Sequence, residues 1–171
     1  MNEVPLFSSL SIKSITLRNR IVLSPMCQYK AKDGMISDWH LQHYSRFAFS
    51  GLGAAFIEAT GVLPEGRIGH GCTGIWSDDH IEGLSKIAKT FKEYNCVSGI
   101  QLAHAGRKAS FLRPWDGASP ISRDDKKEPA WQTIGPSAIP INENSPVPRE
   151  MSLEDINLSL IHISEPTRQH W

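Results

Sequence analysis

The sequence lacks a long apolar run, an excess of charge of either sign and a regular set of cysteines. A membrane-spanning helix needs about 20 consecutive apolar residues, and no stretch approaches that length, so we expect no membrane segment. Lys plus Arg and Asp plus Glu both number 18, which leaves no positive surplus for binding a nucleic acid. Cys27, Cys72 and Cys96 lie far apart, and residues 1–5 do not resemble a signal peptide. These absences indicate a reduced, cytoplasmic protein.

The 171 residues, 40% of them apolar, suffice for one domain with a substantial core. Two alternating apolar pairs predict a hairpin over 10–17. Strand and helix patterns then alternate: strands over 20–23, 54–57 and 97–102, a helix from the cap Ser37 to about Ser50 with Gly51 as its stop, and a helix capped by Ser77 that ends near Asn95. This order predicts an α/β fold with successive right-handed βαβ units and a parallel sheet.

The second half of the sequence has no comparable pattern. Residues 106–150 are punctuated by prolines and carry no long periodic segment, which is typical of a lid or binding excursion. Ser152 to Asp155 has the form of a capping box, but Pro166 and the apolar positions before it do not continue the face of that helix. We therefore expect no developed third helix.

Three clusters fall at the carboxyl ends of the predicted strands. Because ligands of parallel α/β folds bind at that end of the sheet, we favour a ligand-binding role over the alternative that strand ends are simply polar. The clusters are Ser24-Pro25-Met26-Cys27, Glu58-Ala59-Thr60 and Gln101-Leu102-Ala103-His104.

Cys27 is open to several interpretations: a nucleophile, a metal ligand, a thiol against a cofactor or an inert core residue. No second cysteine lies at metal-ligand spacing, and His40 and His43 lack the glutamate of a zinc motif, so we expect no metal site. We interpret the two histidines as outer helix-face residues. Cys72 and Cys96 are interpreted as structural.

The glycines of 69–74 match the dinucleotide fingerprint G-x-G-x-x-G. That fingerprint requires a strand directly before it and a helix that opens at its third glycine. Here Pro64-Glu65-Gly66 precedes the motif and Ile75-Trp76-Ser77 separates it from the next helix. We therefore predict a flexible loop over the carboxyl face.

Four segments resemble the amino-terminal half of the Old Yellow Enzyme family, and most closely its bacterial subgroup of xenobiotic reductases and NADPH dehydrogenases. They are "LRNRIVLSPMCQY", "DWHLQHYSRFA", "EATGVLPEGRIGHGCTGIWSDDH" and "QLAHAGRKA", and they occur in the family's order and spacing. The resemblance implies an incomplete (β/α)8 TIM barrel over residues 1–157, comprising roughly the first three βα units and the hairpin. It also implies FMN at the carboxyl face, with NADPH or NADH as the hydride donor.

The resemblance implies roles for individual residues. Ser24, Pro25, Met26 and Cys27 would line the flavin, Ala59 would pack on its edge, and Gln101 would hydrogen-bond its pyrimidine side. Cys27 would also tune the flavin potential. Tyr29 and Lys108 are placed on the substrate side. No catalytic residue is expected in this chain, since the family's His pair and proton-donor Tyr follow the fourth strand.

The implied reaction is a ping-pong hydride transfer from NAD(P)H through FMN to the activated C=C bond of an α,β-unsaturated carbonyl or nitro compound. We expect a small-molecule substrate and a homo-oligomeric parent protein, of which this chain is an inactive portion. One alternative is a non-catalytic fragment, and another is an FMN barrel that modifies RNA, similar to dihydrouridine synthase.

Residues 158–171 depart from the family pattern. The string "LSLIHISEPTR" resembles the translation of a sequencing-library adapter. We therefore predict that residues 158–171 form a non-native tail.

Overall fold

The computed structural model describes residues 4–164. The described elements, in chain order, are the strands β1 (Leu10–Ile12), β2 (Ile15–Leu17), β3 (Val22–Leu23), β4 (Ala54–Gly61), β5 (Thr73–Gly74), β6 (Val97–Ala103), β7 (Ile134–Gly135) and β8 (Arg149–Glu150), and the helices α1 (Asp38–Phe49), α2 (Ile81–Glu93) and α3 (Leu153–Ser164).

The predicted hairpin is confirmed, since β1 and β2 pair antiparallel with Leu10 opposite Leu17 and Ile12 opposite Ile15. The predicted parallel sheet is also confirmed. Its central strand β4 lies between β3 and β6 and pairs in parallel with both. β4 is longer than the apolar run 54–57 that predicted it, because its polar continuation keeps pairing with β6 as far as Gly61.

Two details of the sheet differ from the prediction. The first core strand was expected over 20–23, but β3 contains only Val22 and Leu23. The loop predicted over 69–74 contains β5, whose Thr73 pairs with Thr60 of β4. No apolar alternation marks so short a strand, so periodicity could not find it.

The two predicted helices begin near their predicted caps. At α1, Ser37 N–H donates to Nδ1 of His40, 3.1 Å away, and Gly51 adopts a left-handed φ of 85° just after the helix. Ser77 caps a 3-10 turn that leads into α2, with its Oγ accepting from Asp79 N–H at 3.3 Å. Both helices pack on one face of the sheet around a shared core of Leu23, Tyr44, Ala48, Ala55, Ile57, Leu84, Ile87, Phe91 and Cys96.

The expectation of no developed third helix is wrong, because α3 runs from Leu153 to Ser164. Ser152 and Asp155 form the predicted start: the Ser152 N–H donates to Asp155 Oδ2 at 2.9 Å, and the Asp155 N–H donates to Ser152 Oγ at 3.1 Å. A proline disfavours helical geometry at the residue before it and has no N–H for the helical hydrogen bonds, so Pro166 does not prevent a helix that ends at Ser164. The non-native tail over 158–171 stays a prediction, and 165–171 lie outside the described residues.

The face of the sheet turned away from the helices is partly open. Ile57 and Ile100 are paired across β4 and β6, and both contact the helix-side core. Their predecessors Phe56 and Gly99 therefore lie on the other face, where 39% of Phe56 is exposed. Within residues 4–164, no helix has the length and apolar character needed to cross a bilayer.

Candidate functional site at the carboxyl ends of the strands

The loop that follows β3 presents an apolar surface next to the strand ends. Ser24 and Met26 are exposed, Met26 to 49%, while Pro25 and Cys27 are half-buried. The loop is fixed just beyond Cys27, because Gln28 N–H donates to Glu58 Oε2 at 2.8 Å. A thioether and a thiol on a fixed loop form a polarisable, mainly apolar wall.

Ala59 and Gln101 lie side by side on β4 and β6. The pairing register passes from Ile57–Ile100 to Ala59–Gln101, with one extra residue, Glu58, on β4. Since Ile100 faces the helices, its successor Gln101 faces away from them, and Ala59 shares that face as its partner. Gln101 is exposed, and among the residues 4–164 its carboxamide makes no hydrogen bond. The face therefore offers a free donor and a free acceptor beside a small methyl group.

The structure thus brings Ala59 and Gln101 together at the ends of the neighbouring strands β4 and β6. The loop of Ser24 to Cys27 follows β3, the neighbour of β4 on its other side. Within the cluster Glu58-Ala59-Thr60, Ala59 is the partly exposed member. Glu58 and Thr60 are fully buried. The extra residue in β4 turns the Glu58 side chain towards α1.

The thiols of Cys27 and Cys72 are neighbours, which the sequence spacing did not indicate. A hydrogen bond with the Cys72 thiol and burial together raise the pKa of Cys27, and the charge of Glu58 acts in the same direction. Cys72 is 1% exposed, and its position is set by Gly71, which packs against the backbone of Tyr29. Cys27 is therefore held as a protonated thiol.

Tyr29 lies beside the loop and under the proline-rich excursion. Its ring makes an edge-to-face contact with Trp115, with centroids 5.8 Å apart, and its φ of 53° is left-handed. Burial raises the pKa of Tyr29 to about 12. The Lys30 ammonium lies over both Trp115 and Trp39, at 5.4 and 5.3 Å from the ring centroids. The excursion is thus attached to the first loop by aromatic and cation–π contacts.

Lys108 follows β6 in a 3-10 turn, Gly106–Lys108, and its side chain is exposed. Within the described part of the chain it makes no ion pair or side-chain hydrogen bond. Its assignment to the substrate side stays a prediction.

The interpretation of His40 as an outer-face residue is wrong. His40 is fully buried, and its Nε2 lies 3.3 Å from Oε1 of the equally buried Glu58. A glutamate placed directly after a run of buried strand residues was the signal for a buried polar contact, since such a charge needs a partner. The described residues hold no group of three or more His, Cys, Asp or Glu placed to bind a metal ion.

The parallel sheet with helices on one face and polar and apolar side chains at its strand ends defines an α/β protein whose candidate ligand site lies at the carboxyl ends of the strands. The chain belongs to the NADH:flavin oxidoreductase / NADH oxidase family, whose model matches residues 5–164. It is 43% identical over 171 residues to the NADPH dehydrogenase of Geobacillus thermodenitrificans, with 99% of this chain and 45% of that protein covered. This match confirms the resemblance that the sequence motifs indicated.

Solved structures agree with the fold. The old yellow enzyme from Trypanosoma cruzi superposes with a TM-score of 0.73 at 26% identity, over 93% of this chain and 45% of that one. Morphinone reductase in complex with tetrahydroNAD gives a TM-score of 0.74 at 21% identity, over 92% of this chain and 44% of that one. The chain spans less than half the length of these relatives and corresponds to the amino-terminal portion of a (β/α)8 barrel.

Proposed function

We propose that this chain supplies one wall of the flavin site of an FMN-dependent NAD(P)H oxidoreductase of the ene-reductase type. The observation that carries the proposal is the shared face of Ala59 and Gln101, next to the loop of Met26 and Cys27. Membership of a flavin oxidoreductase family supports the same cofactor. The proposed substrates are small molecules with a C=C bond activated by a carbonyl or nitro group.

The side chains suit a flat heteroaromatic ring. Met26 and Cys27 offer a soft apolar surface, and Pro25 has no backbone N–H that would be left unpaired beneath a ring. Ala59 is small enough to allow close approach. The Gln101 carboxamide can both donate to and accept from a pyrimidine edge, and no protein partner competes for it among the described residues.

The chemistry that FMN supplies when bound is the carriage of a hydride from NAD(P)H to the alkene. The residues of this chain orient and bind. Tyr29, whose pKa is about 12, keeps its hydroxyl proton at neutral pH and can donate a hydrogen bond to a substrate. We place Lys108 on the substrate side as well. We assign the catalytic His pair and proton-donor Tyr to a part of the barrel that follows this chain.

FMN binding by a Gln101→Leu variant tests the proposal. Replacing the carboxamide by an apolar side chain of similar size removes one or two hydrogen bonds, so FMN affinity should fall roughly tenfold to a hundredfold. The measurement is quenching of FMN fluorescence on titration with the protein. Gln42→Leu, on the exposed side of α1, makes the same chemical change away from the strand ends and should leave affinity unchanged. Equal affinities for the two variants would contradict the proposal.

A second candidate is that the chain is a non-catalytic fragment. The observation in its favour is coverage, because the chain spans 45% of the NADPH dehydrogenase that it matches. Flavin absorbance of the purified chain separates the two candidates, since a fragment unable to bind FMN is colourless. Homo-oligomerisation of the whole protein, a cytoplasmic location and the lack of a nucleic-acid partner stay predictions.

A further inference from the structure

A buried pair of titratable groups lies behind the proposed flavin wall, and the proposed function does not use it. His40 of α1 and Glu58 of β4 have fully buried side chains, with His40 Nε2 and Glu58 Oε1 at 3.3 Å. Within the described residues neither atom makes a hydrogen bond, so the 3.3 Å approach of the two side chains is the polar contact that accompanies their burial.

The backbone of β4 explains how a glutamate comes to face a helix. Ile57 pairs with Ile100 and Ala59 pairs with Gln101, so Glu58 is the extra residue of a β-bulge. The Glu58 side chain consequently leaves the face of Ala59 and enters the space under the loop that follows β3. On the same side, the Glu58 N–H donates to the Tyr44 hydroxyl at 2.8 Å.

Hydrogen bonds from the backbone hold both members of the pair in place. Ser37 N–H donates to His40 Nδ1 at 3.1 Å, which orients the ring so that its Nε2 faces Glu58 Oε1. Glu58 Oε2 accepts from Gln28 N–H at 2.8 Å. One carboxylate oxygen is thus held by the loop backbone, and the other lies against the imidazole.

We infer that Glu58 is a positioning residue, which fixes the loop bearing Met26 and Cys27 to β4 through Gln28 N–H, with His40 orienting the carboxylate. The geometry of this contact is independent of any ligand. Only its significance for a flavin wall rests on the proposed function.

A fixed negative charge at this place acts on the neighbouring titratable groups. It contributes to the raised pKa values of Cys27, Tyr29 and Tyr44, although burial, and for Cys27 the hydrogen bond with Cys72, are larger causes. The titratable groups around the pair are Cys27, Tyr29, His43, Tyr44 and Cys72. Removing the charge should therefore increase the thiolate fraction of Cys27.

The test is the alkylation rate of Cys27 in the full chain without FMN, measured by iodoacetamide labelling and peptide mass spectrometry between pH 7 and 10. Glu58→Gln removes the charge but retains an oxygen that can accept from Gln28 N–H. Alkylation of Cys27 should become about threefold faster or more at a given pH, since one pKa unit is a tenfold change in thiolate. Glu82→Gln neutralises an exposed carboxylate on α2 that pairs with Lys86, and it should not change the rate.

Amide hydrogen exchange at Gln28 separates the effect of charge from simple opening of the loop. Exchange at this amide should remain slow in Glu58→Gln and accelerate about tenfold or more in Glu58→Ala, which removes the acceptor. Tyr44→Phe removes a hydroxyl from the same region without touching the carboxylate, so it should destabilise the fold but leave Cys27 alkylation unchanged.

An unchanged Cys27 alkylation rate in a folded Glu58→Gln variant would overturn the effect assigned to the charge, and a folded Glu58→Ala variant whose Gln28 amide still exchanges slowly would overturn the inference itself. If Glu58→Gln does not fold, Glu58→Asp retains the charge but shortens the reach to Gln28, and unchanged exchange at that amide would also overturn it. Because neither measurement uses FMN, failure of flavin binding leaves the result interpretable.

Discussion

Replacing Gly71 by alanine should displace the neighbouring backbone of Tyr29 and thereby alter the candidate site. A Cβ at this position would lie 2.5 Å from the carbonyl oxygen of Tyr29, 2.7 Å from its carbonyl carbon and 2.9 Å from its Cα. All three are backbone atoms, so no side-chain rotation can relieve the contact. Ordinary van der Waals contact begins at 3.4 Å, so the two segments must separate by roughly 1 Å.

The expected cost follows from that displacement. Overpacking typically costs about 1–3 kcal/mol. The separation also strains the hydrogen bond from Ala31 N–H to the Gly71 carbonyl oxygen, now 2.9 Å long, and its loss adds about 1 kcal/mol. We therefore expect Gly71→Ala to lower the free energy of unfolding by about 2–4 kcal/mol. The same movement should weaken FMN binding, because Tyr29 and Cys27 share one loop.

Urea unfolding followed by circular dichroism measures the first effect, and FMN fluorescence titration the second. Gly135→Ala is the matched control, since its Cβ would meet atoms no closer than 3.5 Å, and it should change stability by less than about 0.5 kcal/mol. The reasoning is refuted if the two variants unfold at the same urea concentration.

Two further predictions concern the core and the titration of the site. Phe91→Ala should lower the free energy of unfolding by about 3–5 kcal/mol, because Phe91 is completely buried and its ring contacts Tyr44 edge-to-face. Chemical denaturation measures this loss. A loss below about 1 kcal/mol would contradict the described packing. Tyr29 has a pKa of about 12 against an ordinary value of 10.0, so between these pH values the unfolded chain releases the proton first and stability falls as pH rises. The fall in the free energy of unfolding with pH should be weaker in Tyr29→Phe. The same pH dependence in the two proteins would contradict the raised pKa of Tyr29.

The sequence predicted the elements whose local signals agree with their tertiary environment. The apolar runs at 54–57 and 97–102 became the paired strands β4 and β6, and Ser37 and Gly51 delimit α1 as capping chemistry predicts. The strand ends at Ala59 and Gln101 could be assigned to a shared edge because parallel strands deliver their carboxyl ends to the same side.

Features that depend on contacts between residues far apart in the sequence could not be predicted from it. The residues around His40 in the sequence are like those around a surface histidine. Its buried environment depends on the contact with Glu58, 18 positions further along the chain. Cys27 and Cys72 are likewise distant in sequence and meet because Gly71 allows the two backbones to approach closely. Neither contact produces a periodic pattern in the local sequence, so a short window of sequence does not reveal it.

The bulge in β4 shows how one inserted residue determines the chemistry of the proposed site. In a regular ladder the residue after Ile57 would pair with Gln101, and the Glu58 carboxylate would share the face of that carboxamide. A carboxylate there would repel the carbonyl oxygens of a pyrimidine edge and would compete for the amide. With the extra residue, Ala59 takes that position, and the carboxylate is moved behind the wall, where it holds Gln28. Deleting one residue of β4 should therefore harm FMN binding more than removing the Glu58 charge does, because deletion changes which side chain faces the ring.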